Sequence, residues 1–389
     1  MAKPRTSLSI GYDAKRAMRN FTGLGNYSRY VIDVMARYYP ENRYILYSTS
    51  GAAGPRAEAV LAPSNVTLTT PQSALWRRLG SLWRSLEVTQ TLLDDNISLY
   101  HGLSNELPLN IGASGLPSVV TVHDVIWRRY EADYSWIDRR MYDFKYGRSM
   151  RAAIRIIAIS ERTKADIVTD FDISPDKIDV IYQGIDPLFS LAIDHETKTA
   201  VREHYRLPET YIVMVGTVQG RKNQLLAVKA LRALPEEVKL VIVGRRSGSY
   251  GKEIDSYIAS HHLGDRVTWL EGVPFGDLPP IYAMAAMAAY PSRYEGFGLP
   301  VVEAIAAGVP VIAATGSCLE EAGGGGAVYV SPDDPEEFAH QANVILSDSF
   351  RRNKMVELGQ RHIKKFNAAE FARLTMATYR KAIVEKVLQ

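Results

Sequence analysis

Short apolar runs alternate with segments of helical apolar spacing along the whole chain. Leu8–Tyr12, Tyr44–Tyr47, Ser98–Tyr100, Val119–Val122, Ile154–Ile159 and Ile178–Tyr182 read as strands in the first half. Tyr211–Val215, Val238–Val243, Val267–Leu270, Met287–Tyr290, Val309–Ala313 and Ala327–Val330 read as strands in the second. Between the first two lies Tyr27–Tyr39, with Tyr30, Val31, Val34 and Met35 on one helical stripe, and Ala368–Leu388 repeats the pattern through Phe371, Leu374, Met376 and Tyr379. Strands alternating with helices imply α/β layers on parallel sheets. The polar stretch Phe189–Pro208 interrupts the series, so the chain divides into two α/β units joined near residue 190.

Composition narrows the function classes. The 389 residues, 46% of them hydrophobic, suffice for sizeable cores, and 46 Lys+Arg against 43 Asp+Glu give no global case for nucleic acid binding. The single cysteine, Cys318, excludes an internal disulfide and suits a reducing compartment. Met1–Arg5 leads into a strand rather than the long apolar region of a signal peptide, and no apolar run is long enough to span a bilayer, so a cytoplasmic location is expected.

The chemistry concentrates in Ser292-Arg-Tyr-Glu-Gly-Phe-Gly-Leu-Pro-Val-Val-Glu-Ala304. A strand leads into a glycine-punctuated turn and then a helix, with Pro300 at its start, Glu303 in its first turn, and Gly308 and Pro310 closing it. Free amides at a helix start suit a phosphate or a hydroxyl-rich sugar, and Glu295 and Glu303 can hold separate polar parts of one ligand. Val215-Gly-Thr-Val-Gln-Gly-Arg-Lys-Asn223 also follows a strand, placing two adjacent cations, Arg221 and Lys222, where a parallel sheet presents its ligand crevice. It does not meet the Walker A pattern.

Together these motifs resemble retaining glycosyltransferases of family 4, the group 1 glycosyltransferases with mannosyltransferase-like members. The Glu-x7-Glu signature falls on Glu295 and Glu303, within Tyr-Glu-Gly-Phe-Gly-Leu-Pro, and the Gly-Thr-x-x-x-Arg-Lys-Asn segment falls on residues 216–223. Some members carry a further Arg where this chain has Thr217. The resemblance implies an α/β GT-B fold, two Rossmann-like parallel-sheet domains facing across a cleft. Residues 1–190 would form the N-terminal, acceptor-side domain and 191–370 the C-terminal, nucleotide-sugar-binding domain, with a helix at 371–389 crossing back to the first.

By the same resemblance Glu295 contacts the transferred sugar, Glu303 the ribose, and Arg221 and Lys222 the diphosphate. His123, directly after the strand Val119–Val122, would be catalytic beside the reaction centre, and Asp124 would cap a helix start. Gly23 and Gly25 match an N-terminal glycine loop, Val273 in Gly272-Val-Pro274 the nucleobase contact, Ser317 in Thr315–Leu319 the distal phosphate loop, and Phe297, Gly298 and Leu299 the turn against the donor. The Gly23-x-Gly25 pair also raises a dinucleotide-binding dehydrogenase. Against that rival, the glycines lie well beyond the first strand, and the second strand runs into Ser48-Thr-Ser50 without the acid a ribose of NAD requires. The resemblance also implies metal-independent transfer with the nucleotide-sugar as a substrate, no cofactor being implied.

The implied activity is retaining transfer of a hexose, mannose from GDP-mannose in the first instance or a UDP-hexose in the second, to a saccharide or lipid-linked acceptor in cell-envelope polysaccharide synthesis. A catalytically silent glycan-binding protein on the same fold is the alternative from another class. Residues 73–86 carry Leu75, Leu79, Leu82 and Leu86 at helical spacing, with Trp76, Trp83, Arg77, Arg78 and Arg84 around them. Such a helix either rests on anionic membrane at the inner face of the cytoplasmic membrane or packs its leucines into the domain with the arginines in solvent.

Overall fold

The computed structural model describes residues 7–246 and 248–388; Met1–Arg5 lie outside them. The chain divides into two compact units, Met1–Gln183 with Ala368–Gln389, and Gly184–Asn367. These divisions fall a few residues before positions 190 and 370.

The first unit carries seven parallel strands: β1 (Ser9–Asp13), β2 (Arg43–Tyr47), β3 (Val66–Thr69), β4 (Leu99–Gly102), β5 (Ser118–Val122), β6 (Arg155–Ala158) and β7 (Ile178–Val180), in the order β3-β2-β1-β4-β5-β6-β7. The second carries six: β8 (Tyr211–Val215), β9 (Lys239–Val243), β10 (Val267–Leu270), β11 (Met287–Tyr290), β12 (Val311–Ala314) and β13 (Ala327–Val330), in the order β10-β9-β8-β11-β12-β13. The strand order reverses between β1 and β4 and again between β8 and β11. At such a switch point the connections diverge to opposite faces and leave a crevice at the carboxyl ends of the strands. Four helices matter below: α1 (Gly23–Tyr38), α2 (Trp136–Ala152), α3 (Leu299–Ala306) and α4 (Ala368–Val387).

Central strands such as β5 are buried along their whole length because helices cover both faces of a parallel sheet. β3 is the strand that the hydrophobic pattern misses. Its sequence, Val66-Thr-Leu-Thr69, lies at the sheet edge with only Val66 buried, so it lacks the continuous apolar run of its neighbours. The terminal helix α4 belongs to the first unit. Its Tyr379 hydroxyl lies 3.1 Å from that of Tyr12 and 2.7 Å from His101 Nδ1, and Thr378 donates to Asp179 at 2.8 Å.

Residues 73–86 do not form the single amphipathic helix that their spacing suggests. Ser73 caps Ala74–Arg78, the helix breaks at Leu79, and after Gly80–Leu82 the chain widens into a π turn over Trp83–Glu87. The wider turn changes the helical phase. Trp83 is buried in the core with Tyr100, Val120 and Met150, while Trp76 packs against its edge. Arg84 turns inward, donating through Nη2 to Asp13 at 2.6 Å and through Nη1 to Glu106 at 2.5 Å. Arg77 donates to the Gln72 carbonyl at 2.8 Å. Leu75, Leu79, Leu82 and Leu86 are all left exposed. The packing alternative therefore fails for the leucines, and the membrane alternative fails for Trp83 and Arg84.

Candidate active site

In the second unit the loops after β8 and β11 flank the switch point and bring the motif side chains together. The loop after β8 makes a single tight turn over Gly220–Lys222, and Asn223 follows in the left-handed region, a conformation asparagine tolerates. Asn223 Nδ2 donates to the Pro291 and Pro332 carbonyls at 3.3 and 2.7 Å, tying this loop to the one after β11. Arg221 and Lys222 then reach Glu295 Oε1 at 2.8 and 3.0 Å. Tyr290 and Ser292 donate to the same oxygen at 2.9 and 2.8 Å.

Burial alone would push the Glu295 carboxyl up. The Lys222 and Arg221 charges and the Ser292 hydrogen bond outweigh it and lower the pKa to about 2. Glu295 is thus a fixed anion, and it holds two cations in place at the crevice. Tyr290 and Ser292 are site residues that motif reading did not single out. Their signal lies in position alone, at the carboxyl end of β11 and the start of the turn.

Gly298 shows why the turn needs glycine. It caps α3 with φ +100°, and a Cβ there would lie 2.6 Å from Leu319 Cδ2. Phe297 is buried, with its ring edge-on against Phe366 at 5.2 Å. Leu299 opens α3 at the turn, while Val273 follows Gly272 in the loop after β10. Glu303 sits in the second turn of α3 rather than the first, because the helix begins at Leu299. Burial, reinforced by the Asp186 carboxylate, raises its pKa to about 7. In the loop after β12 the Ser317 hydroxyl is buried without a hydrogen-bond partner among the described residues. The neighbouring Cys318 thiol donates to the Glu295 carbonyl at 3.0 Å, so this loop braces the carboxylate turn from behind.

In the first unit His123 follows β5 and is buried. Its Nε2 donates to the Leu103 carbonyl at 2.9 Å, fixing the tautomer and leaving Nδ1 as the acceptor. The Tyr27 ring meets the imidazole edge-on at 4.6 Å. Burial lowers its pKa to about 4, so the ring stays neutral at physiological pH. Beneath it, Thr121 meets both the Tyr27 hydroxyl and His101 Nε2, and His101 Nδ1 continues the chain to Tyr379 of α4. Asp124 accepts from the Ile126 amide at 3.1 Å at the start of a short helix.

Gly23 and Gly25 lie inside the first turn of α1 rather than in a loop before it. A Cβ on Gly25 would fall 1.7 Å from the Asn20 carbonyl oxygen, whereas one on Gly23 would meet nothing within 4 Å among the described residues. The bare backbone of Gly25 is filled by the chain itself, through a close approach that the Gly-x-Gly spacing does not reveal.

The comparisons with known proteins agree with this architecture. Residues 29–188 match the model of Glycosyltransferase Family 4, and residues 197–362 that of Glycosyl transferases group 1. The chain is similar to the MMP α-(1→4)-mannosyltransferase of Mycolicibacterium hassiacum, 30% identical over 308 residues that make up 75% of this chain and 71% of the relative. It is 29% identical to the O-antigen chain mannosyltransferase RfbU of Salmonella typhimurium, over 56% of this chain and 58% of the relative. To the O-antigen chain mannosyltransferase B of Escherichia coli it is 30% identical, over 65% and 66%. The match to each of the last two thus spans less than two thirds of the relative.

Among solved structures, HepE of Anabaena in complex with UDP and glucose superposes with TM-score 0.74 at 20% identity, over 96% of this chain and all of that one. A glycosyltransferase from Rickettsia africae gives 0.75 at 17%, over 97% and 99%. Two Rossmann-like parallel-sheet units of this kind are the GT-B class. The chain belongs to the group 1 glycosyltransferases, Glycosyltransferase Family 4, and is a sugar transferase.

Proposed function

We propose that this protein transfers a hexose from a nucleotide-sugar to an acceptor hydroxyl with retention of anomeric configuration. The observation that carries the reading is the convergence of Arg221, Lys222 and Glu295 at the switch point of the second sheet. As the glycosidic bond breaks, the sugar develops oxocarbenium character and the nucleoside diphosphate gathers negative charge. Arg221 and Lys222 would meet that charge, already positioned by Glu295, and the α3 amides would add their dipole. Retention without a protein nucleophile would follow from front-face attack, the leaving phosphate taking the acceptor proton.

Mannose from GDP-mannose is the first donor and a UDP-hexose the second. The mannosyltransferase relatives favour the former; the UDP-glucose complex of HepE favours the latter. The acceptor is a saccharide or lipid-linked saccharide of the cell envelope, taken by the first unit. The exposed leucine row 75–86 would hold that unit at the inner face of the cytoplasmic membrane. No described helix is long and apolar enough to cross a membrane. Thermal shifts with GDP, UDP and ADP and their sugars test the donor. One base should stabilise the protein well above the others, and its sugar should then be consumed when an acceptor is supplied. No shift with any of the three would defeat the assignment.

Because side chains and amides meet the diphosphate, transfer should persist in excess EDTA. Abolition by EDTA with rescue by magnesium or manganese would contradict this. The pH dependence of donor affinity should follow Glu303. A ribose hydroxyl donates to the carboxylate, and that form is lost as pH falls through a pKa of about 7. Donor KM should therefore rise as pH drops from about 8 to about 6, by up to roughly tenfold per unit below the pKa. Glu303→Gln should flatten the profile; an unchanged slope in that variant would separate the titration from Glu303.

A further inference from the structure

We propose that the outer face of α2 is a second bilayer-seating surface, which acts with the leucine row to dock the first unit on anionic phospholipid. Trp136, Ile137, Arg140, Met141, Phe144, Arg148 and Arg151 are the exposed residues of this helix. Their spacing of one, three, four and eight residues places them on one side. Trp136, Ile137 and Phe144 are 63%, 71% and 61% exposed, so the apolar groups stand in solvent, not in a crease of the core.

A helix on a soluble domain ordinarily turns polar residues outward. Here the opposite side is apolar as well, with Tyr142 and Tyr146 packed against Trp127 and with Met150 buried. Apolar residues on both sides leave no helical contrast, which is why the periodicity of the sequence does not flag this segment.

The charges select the occupant. Arg140, Arg148 and Arg151 share the exposed face, whereas the helix's acids are engaged: Asp143 by Trp127 Nε1 and Arg128 Nε at 2.8 and 2.7 Å, and Asp138 by Ser135 Oγ at 2.7 Å. A twofold contact between two copies would set this cationic face against the same cationic face. An anionic bilayer takes the apolar side chains into its interfacial layer and the guanidinium groups among its phosphates.

The two surfaces are neighbours. Leu109 donates its amide to the Ser85 carbonyl at 2.7 Å, Asn110 Nδ2 donates to the Leu86 carbonyl at 2.9 Å, and Arg148 Nη2 donates to the Leu109 carbonyl at 2.6 Å. One loop thus joins the leucine row to α2. Between loop and helix lies an open groove of about 570 Å³ walled by Leu109, Asn110, Phe144, Arg148 and Arg151, with the engaged Asp143 at its side. Two apolar strips with cations between and around them fix an orientation on the surface, which a single strip cannot do.

The inference is independent of the donor chemistry, and lipid binding is read without substrate. The full chain is co-sedimented with vesicles of phosphatidylethanolamine and phosphatidylglycerol, and with phosphatidylcholine alone, at low and high salt. Binding should need the anionic lipid and fall at high salt. Substituting Trp136→Ser, Ile137→Ser and Phe144→Ser together should lower the bound fraction at least as much as Leu75→Ser, Leu79→Ser and Leu82→Ser together. Arg140→Gln with Arg151→Gln should remove the preference for phosphatidylglycerol. The nucleotide-induced thermal shift should survive in every variant. Brominated lipid should quench tryptophan emission in the wild type and much less in Trp136→Phe, a readout that holds even if a multiple variant misfolds. Wild-type binding by the α2 variant, absence of Trp136 quenching, equal binding to phosphatidylcholine, or a wild-type dimer that the α2 variant dissolves would each overturn the proposal. The last result would make the face a contact between copies, and none of them would touch the reading of the sugar transfer.

Discussion

Glu295→Gln should lower the transfer rate at saturating donor by at least a hundredfold, and Lys222→Ala by about as much, in protein that remains folded. A charge contact to a leaving group is worth roughly 3 kcal/mol, and its loss corresponds to two to three powers of ten in rate. The two variants should differ in ground-state binding. Lys222→Ala removes a cation from the diphosphate site and should weaken binding of the free nucleoside diphosphate. Glu295→Gln removes the anion that neutralises Arg221 and Lys222, so the diphosphate should bind at least as tightly as before while turnover collapses. Calorimetry with the nucleoside diphosphate, beside single-turnover rates, separates the two. Wild-type turnover by Glu295→Gln, or unchanged diphosphate affinity in Lys222→Ala, would remove the respective residue from the site.

Arg84→Ala should destabilise the first unit by about 3–5 kcal/mol, because it strands the buried Asp13 carboxylate without its partner. Asp13 is 2% exposed and takes two hydrogen bonds from Arg84 Nε and a third from Nη2, while Glu106 takes another from Nη1. Asp13→Asn with Arg84→Met should recover much of the loss, since the cost arises from the orphaned charge rather than from the absent pair. Denaturant midpoints of the two variants test this. A stability for Arg84→Ala within about 0.5 kcal/mol of wild type, the range of ordinary surface changes, would return the residue to the surface where its spacing places it.

How much of this was legible differs by residue. Arg221, Lys222, Glu295 and Glu303 could be found because strand–turn–helix punctuation is local and places each at a strand's carboxyl end. Tyr290 and Ser292 carry no such mark, and their role appears only when the loop after β8 lies across the turn after β11. Phe297 sits in the most informative motif of the chain, yet its ring goes to Phe366, a residue far away in sequence. Gly25 looks like a ligand-facing glycine until the Asn20 carbonyl is seen to fill its space.

The parallel α/β layers, the division into two units and the charged loops are legible in the order of amino acids alone. Each rests on short-range physics: the period of apolar residues, the backbone demands of turns, and charge neighbouring charge along the chain. Long-range packing sets which way side chains face once a helix departs from regular phase or is apolar on both sides. A π turn sends Trp83 and Arg84 inward and leaves four leucines outside, and α2 presents Trp136, Ile137 and Phe144 to solvent because its other apolar side already fills the core. Burial is a property of what packs against a surface, and residues distant in sequence supply that packing.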